Sequence, residues 1–220
     1  MEKLIETALS LIKPGMSVSF GGGRTVGRLI RALKDTSVDT KIAVSSPSET
    51  TRKLCFELDI PVVPLSQVTK FDIAFDGCDS LNQELNALKS NGGIHTFEKL
   101  YAQVAEHYII MGPIAKYSQE LDPNVQLTLE VLDLAIPQVI AQVNELGGTA
   151  DIRQASELAG MVRTPNGNGL LDCHFKDWSE IDKIDATLAK MTGVMGTSYF
   201  KNLVTDALLA TDDDVKHLKK

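Results

Sequence analysis

Three short stretches of this 220-residue chain bring chemically useful side chains together. Phe75-Asp76-Gly77-Cys78-Asp79 sets two carboxylates three residues apart around a glycine. Such a pair suits polyol hydroxyls or a divalent cation, and an ordinary Asp-Gly turn has the same appearance. Lys89-Ser90-Asn91-Gly92-Gly93 is a polar loop whose glycines let backbone approach a ligand closely. Thr96-Phe97-Glu98-Lys99 follows at a helix start, where Glu98 is either a working carboxylate or simply an acid favoured by the helix dipole. Taken together, the two aspartates, the lysine and the glutamate match what an aldose–ketose isomerisation needs. One carboxylate carries a proton between adjacent carbons, and donors hold the enediolate oxygen.

A fourth stretch, Gly21-Gly22-Gly23-Arg24-Thr25, follows a short apolar run. Glycines expose backbone N–H groups, a helix N-terminus adds partial positive charge, and Arg24 and Thr25 add side-chain donors, so a phosphate cradle is one reading. A tight strand–helix turn is the other. The run is not a dinucleotide fingerprint, because Val26 stands at the third glycine position and the next strand ends in Ser45-Ser46 without an acid for a ribose hydroxyl. Nor is it a P-loop, since Arg28-Leu29 replaces the Lys-Ser/Thr pair. Histidines 95, 107, 174 and 217 are scattered and form no HxxxH pair, so neither a metal site nor a cofactor is expected.

Hydrophobic periodicity supplies the elements that must position these loops. Apolar residues at helical spacing predict a helix over 2–12, stopped by Lys13-Pro14-Gly15, and another resuming through Leu29, Ile30 and Leu33. Strands are predicted at 16–20, 41–44, 61–63 and 71–75, with a helix over 49–58. This alternation predicts a parallel doubly wound sheet with ligands beyond the carboxyl ends of its strands. After Asp122-Pro123 the order becomes strand 125–131, helix 136–146, strands 149–153 and 169–173, helix 181–191 and strand 193–198. That is the split β-α-β-β-α-β pattern of a small inserted domain. Residues 203–209 then return as a strand to the first sheet. The expected division is 1–124 with 203–220, and 125–202.

Composition bounds the function class. A net charge of −7 speaks against a nucleic-acid face. The apolar runs are of strand length, so no membrane span or leader is expected. Cysteines 55, 78 and 173 are odd in number and lack a CxxC, which suits a reduced cytoplasm.

At these residues the chain resembles the ribose-5-phosphate isomerase A family over nearly its whole length. That family's phosphate loop G-T-G-S-T is matched at Gly21, Gly23 and Thr25, with Gly22 and Arg24 departing. Its serine pair falls on Ser45-Ser46. Its D-G-A-D-E falls on Asp76, Gly77 and Asp79, with Cys78 and Ser80 departing. Its K-G-G-G is kept at Lys89 and Gly92, with Ser90 and Asn91 between, and its T-x-E-K at Thr96, Glu98 and Lys99. The resemblance implies a Rossmann-like domain with an inserted ferredoxin-like α+β domain, assembled as homodimers or tetramers. It implies Glu98 as base, Asp76 in ring opening and proton traffic, and Lys89 at the developing oxyanion. Substrate contacts are implied along Gly22, Gly23, Arg24 and Thr25, at Asp76, Gly77, Cys78 and Asp79, along Lys89, Ser90, Asn91 and Gly92, and at Lys116. The altered loops leave two alternatives open, a related isomerase for another sugar phosphate and a non-catalytic sugar-phosphate sensor.

Overall fold

The computed structural model describes residues 1–36 and 38–220. Chain order is α1 (Glu2–Leu11), β1 (Ser17–Phe20), α2 (Arg24–Lys34), β2 (Ala43–Ser45), α3 (Glu49–Glu57) and β3 (Phe71–Asp76). A short hairpin of β4 (Ser80–Leu81) and β5 (Ala87–Leu88) follows, then α4 (His95–Gln103) and β6 (Ala105–Pro113). Next come β7 (Leu127–Val131), α5 (Ile136–Glu145), β8 (Thr149–Ile152), β9 (Gly169–His174), α6 (Ile181–Leu188) and β10 (Val194–Thr197). The chain closes with β11 (Tyr199–Phe200), β12 (Asp206–Ala210) and β13 (Val215–Lys219).

The largest sheet has the order β13-β12-β6-β3-β1-β2. Its β12, β6, β3, β1 and β2 pair in parallel, and only the edge strand β13 runs antiparallel. Side chains alternate across this sheet with period two. Phe20, Ile73, Phe75, Ile109 and Met111 fall on one face and pack with Leu4 of α1, Leu29 of α2 and Cys55 of α3. Ala74, Tyr108, Ile110 and Leu209 fall on the other, beside Ala102 of α4 and Phe200. Chain order moves outward from β1 to β2 in one direction and through β3, β6 and β12 in the other. The crevice between β1 and β3 is therefore the switch point where ligands of such sheets bind.

The second sheet, order β10-β7-β9-β8, is wholly antiparallel and carries α5 and α6 around its own core of Leu127, Leu129, Val139, Leu171 and Ile184. Its β-α-β-β-α-β order is the one expected. The third sheet, β11-β5-β4, joins the two cores, since Leu88 and Tyr199 belong to the second and Ala87 and Phe200 to the first sheet's far face. Among the described residues no helix is long and apolar enough to cross a membrane.

Several expectations shift. Residues 61–63 form no strand, only an isolated bridge between Val62 and Val44, because Pro61 has no N–H to give a ladder. The returning strand starts at Asp206, three residues later than expected. Strands β4, β5, β6 and β13 were not anticipated.

Phe20 is fully buried and stacks on Phe75 at 6.2 Å, directly before the first glycine loop. Phe20→Ala is expected to lower unfolding free energy by about 3–5 kcal/mol, the usual range for emptying a large core site. Urea denaturation checks this, and a loss below ~1 kcal/mol would contradict the packing described.

Candidate active site

Five chain segments meet beyond the carboxyl ends of the parallel strands and line a cavity of about 400 Å³. Asp76 closes β3 and is buried. One edge of its carboxylate, Oδ1, accepts from the Gly77 N–H at 2.8 Å and sits 3.0 Å from Lys89 Nζ. The other edge, Oδ2, accepts from the Tyr108 hydroxyl at 3.0 Å. Gly21 donates its N–H to the Phe75 carbonyl at 2.8 Å, which draws β1 against β3. A Cβ on Gly21 would lie 2.1 Å from the Asp76 carboxyl carbon. The glycine is thus required by the buried carboxylate beside it, a reason the motif alone did not reveal. Gly23, at φ 93°, takes the left-handed turn into α2.

Lys89 leaves β5 with its own N–H bonded to the Ser198 carbonyl at 2.9 Å. Its ammonium donates to the Gly77 carbonyl at 2.5 Å and lies 3.3 Å from Glu98 Oε1. Glu98 arrives from the first turn of α4 and is only 6% exposed. One cation therefore faces two buried carboxylates. Burial alone would discharge the lysine, but Asp76 and Glu98 together outweigh it and raise the ammonium's pKa, so Lys89 stays protonated. A single charge neutralises only one acid. Burial first, and the Asp76 charge second, push Glu98 up to about 8.

Asp79 has a different part. Its Oδ2 accepts from the Ser90 and Asn91 N–H groups at 2.7 and 2.9 Å, and its Oδ1 from Asn91 Nδ2 at 2.9 Å. From the second sheet Arg153 donates to the Ser90 and Asn91 carbonyls at 2.9 and 3.2 Å, while its Nε pairs with Asp172 at 2.8 Å. The loop after Lys89 is therefore clamped from both sides, which is how Ser90 and Asn91 hold a shape without a glycine run.

Most of the residues singled out from sequence converge here. Gly22, Gly23, Asp76, Gly77, Cys78, Asp79, Lys89, Gly92, Glu98 and Lys116 all line the cavity. The Cys78 thiol is pushed up to about 12 by burial, so it packs and does not attack. Lys116 donates to the Cys78 carbonyl. Ser90 does not reach the cavity: it is fully buried, with its hydroxyl on the Gln126 carbonyl. Asn91 is likewise absent from the lining and serves Asp79. Arg24 and Thr25 line an adjoining hollow of similar size, which shares Gly22, Gly23, Gly77 and Lys116 with the first and also holds Arg28. Sequence reasoning missed Ser48, Glu49, Thr50 and Ile94 on the cavity wall. The available signal was Ser48, whose side chain caps α3 by accepting from the Thr51 N–H at 3.2 Å. Among the described residues no group of three or more His, Cys, Asp or Glu side chains is arranged to hold a metal ion.

The profile of the family described as Ribose 5-phosphate isomerase A (phosphoriboisomerase A) matches residues 42–214. The chain belongs to the ribose 5-phosphate isomerase A family. Curated relatives named ribose-5-phosphate isomerase A include one from Prochlorococcus marinus, 31% identical across 93% of this chain and 88% of its own. Another, from Methanococcus aeolicus, is 32% identical across 98% of this chain and 93% of its own. The solved ribose 5-phosphate isomerase A of Methanocaldococcus jannaschii superposes with a TM-score of 0.92 at 29% identity, covering 99% of this chain and 97% of that one. A D-ribose-5-phosphate isomerase solved in complex with phospho-erythronic acid gives 0.94 at 26% identity, covering 100% and 97%.

The fit of Gly21 against Asp76 makes a sharp test within this family fold. Gly21→Ala is expected to displace the Asp76 carboxylate and lower kcat/KM for ribose 5-phosphate by more than about 100-fold, the size of effect that misplacing a reacting group has. Activity within a few-fold of the parent would show that the crevice yields without harm.

Proposed function

We propose that this protein interconverts ribose 5-phosphate and ribulose 5-phosphate through an enediolate, with Glu98 as the base. The observation that carries the reading is the buried Lys89 ammonium held 3.0 Å from Asp76 and 3.3 Å from Glu98 on the cavity wall. Glu98 takes the proton from C2 of the open aldose. The C2–H electron pair becomes the C1–C2 double bond, and the carbonyl electrons pass to O1. Return of that proton to C1, with O2 losing its proton as O1 gains one, yields the ketose. C1 is reduced from carbonyl to alcohol as C2 is oxidised from alcohol to carbonyl within the same molecule, so no external redox partner is needed. Lys89 holds positive charge where the enediolate oxygen forms, and Asp76 serves ring opening and transfer between the oxygens. A base near neutrality suits this work, since it must both accept and release the proton.

The phosphate is assigned to the adjoining hollow, against Gly22, Gly23, Arg24 and Thr25 at the start of α2, with Lys116 between the two spaces. Support for a phosphorylated acid fitting this fold comes from the related isomerase complexed with phospho-erythronic acid. The carboxylate of such an acid is planar and shares negative charge over two oxygens, whereas an enediolate is planar with one oxygen on each of two adjacent carbons. The likeness is in the flat, oxygen-rich, anionic group that the donors meet. Positive charge at the reacting oxygens comes from Lys89, and the scheme uses no metal. The same reading takes residues 125–202 as a small separate domain and the protein as a cytoplasmic homo-oligomer, dimer or tetramer.

Glu98→Gln keeps the side chain's size but carries no proton. It is expected to lower kcat by about 10²–10⁴-fold, the usual contribution of general acid–base catalysis, with KM little changed. A coupled assay with ribose 5-phosphate measures this, and wild-type turnover by the variant would remove Glu98 from the chemistry.

A further inference from the structure

Tyr108 lies on β6 with its ring buried beneath the cavity, and it does not line the cavity. It shares a sheet face with Asp76, because Ala74 pairs with Tyr108 and Asp76 with Ile110 in the parallel register of β3 and β6. Its ring stacks on Phe200, centroids 6.1 Å apart and planes within 19°. Phe200 in turn lies 5.6 Å from the Lys89 ammonium. Tyr108 and Phe200 thus form an aromatic floor under the charged group.

We propose that Tyr108 is a positioning residue of the isomerisation, its hydroxyl fixing the edge of Asp76 that neither Lys89 nor Gly77 holds. An aspartate carboxylate turns about a terminal torsion with a broad energy minimum, so a donor on one edge leaves its plane loose. In this site Gly77 N–H and Lys89 take Oδ1, and the Tyr108 hydroxyl takes Oδ2 at 3.0 Å. Donors on both edges hold the plane. The phenol keeps its proton, because burial and the nearby Asp76 and Glu98 charges all raise its pKa, so it can only donate to the carboxylate. The bland alternative is a core tyrosine whose hydroxyl has found the nearest acceptor. The two readings differ in what loss of the hydroxyl does to turnover.

The inference rests on the proton-handling role proposed above for Asp76. Tyr108→Phe keeps the ring and its stacking and removes only the hydroxyl. The expected result is a kcat lowered about tenfold, the loss typical of one hydrogen bond to a charged group, with KM for ribose 5-phosphate and calorimetric binding of phospho-erythronic acid unchanged. The same substitution placed in an Asp76→Asn background is expected to cause no additional loss, because the hydroxyl acts through that carboxylate. An unaltered kcat in Tyr108→Phe overturns the proposal. So does an equal fractional loss in both backgrounds, and so does weakened binding of the acid, which marks a structural role. Should Asp76→Asn alone keep full turnover, the reading of the site itself fails, and not merely the part given to Tyr108.

Discussion

The site turns on one imbalance, a single buried ammonium set between two buried carboxylates. Lys89 cannot neutralise both Asp76 and Glu98, and the three largely buried groups are screened by water far less than surface charges are. Asp76 has the fuller set of donors, from Lys89, Gly77 and Tyr108. Glu98 has the longer contact with the same lysine, and burial first, with the neighbouring charge second, holds its proton well above the ordinary glutamate value. A stability consequence follows with a definite sign. Between the ordinary glutamate value of 4.5 and about 8 the folded protein holds a proton that the unfolded chain has released. The unfolded state then binds fewer protons, so Glu98's contribution to stability is whole below that window and is lost as pH rises through it. Retaining such an unfavourable group fits a carboxylate kept for chemistry.

The rest of the fold serves to bring three chain segments to that lysine. The parallel pairing of β1 with β3 lays Gly21 against Asp76, and only a residue without Cβ permits the approach. The β4–β5 hairpin joins both cores and delivers Lys89, while Asp79 from one side and Arg153 from the other clamp the loop beyond it. Helix α4 presents Glu98 in its first turn and packs on β10 through a close fit of Thr96 against Gly196. Arg153 and Gly196 thus act on the loop and the helix that carry Lys89 and Glu98, and the second sheet's part at the site is placement.

Local patterns made much of this legible. Asp76, Lys89 and Glu98 stood out because each sits within a few residues of a glycine or at a helix start, where residue type and position are read from local neighbours. The split β-α-β-β-α-β order was legible because its helices and strands alternate with clear periods. What escaped depended on distant contacts or weak signals. Tyr108 meets Asp76 across 32 residues and Arg153 meets Ser90 across 63, and no spacing rule connects such positions. Strand β6 opens with exposed Glu106 and His107, which blur its apolar alternation. Strand β13 carries Lys216, His217 and Lys219, the charged composition of a protected sheet edge, which leaves little apolar alternation to read. The reading of Ser90 and Asn91 as substrate contacts treated a loop as though all of it faced the ligand, whereas Ser90 is buried with its hydroxyl on the Gln126 carbonyl and Asn91, though exposed, is turned to Asp79.

The imbalance at Lys89 can be observed without turnover. Carbon-13 labelling of glutamate side chains gives each carboxyl its own resonance, and Glu98→Gln identifies the one that belongs to Glu98. In the ligand-free protein this carboxyl is expected to titrate at about 8, and Asp76→Asn is expected to lower that midpoint by removing the neighbouring negative charge. A Glu98 midpoint at the ordinary glutamate value of 4.5, unmoved by Asp76→Asn, would contradict the account.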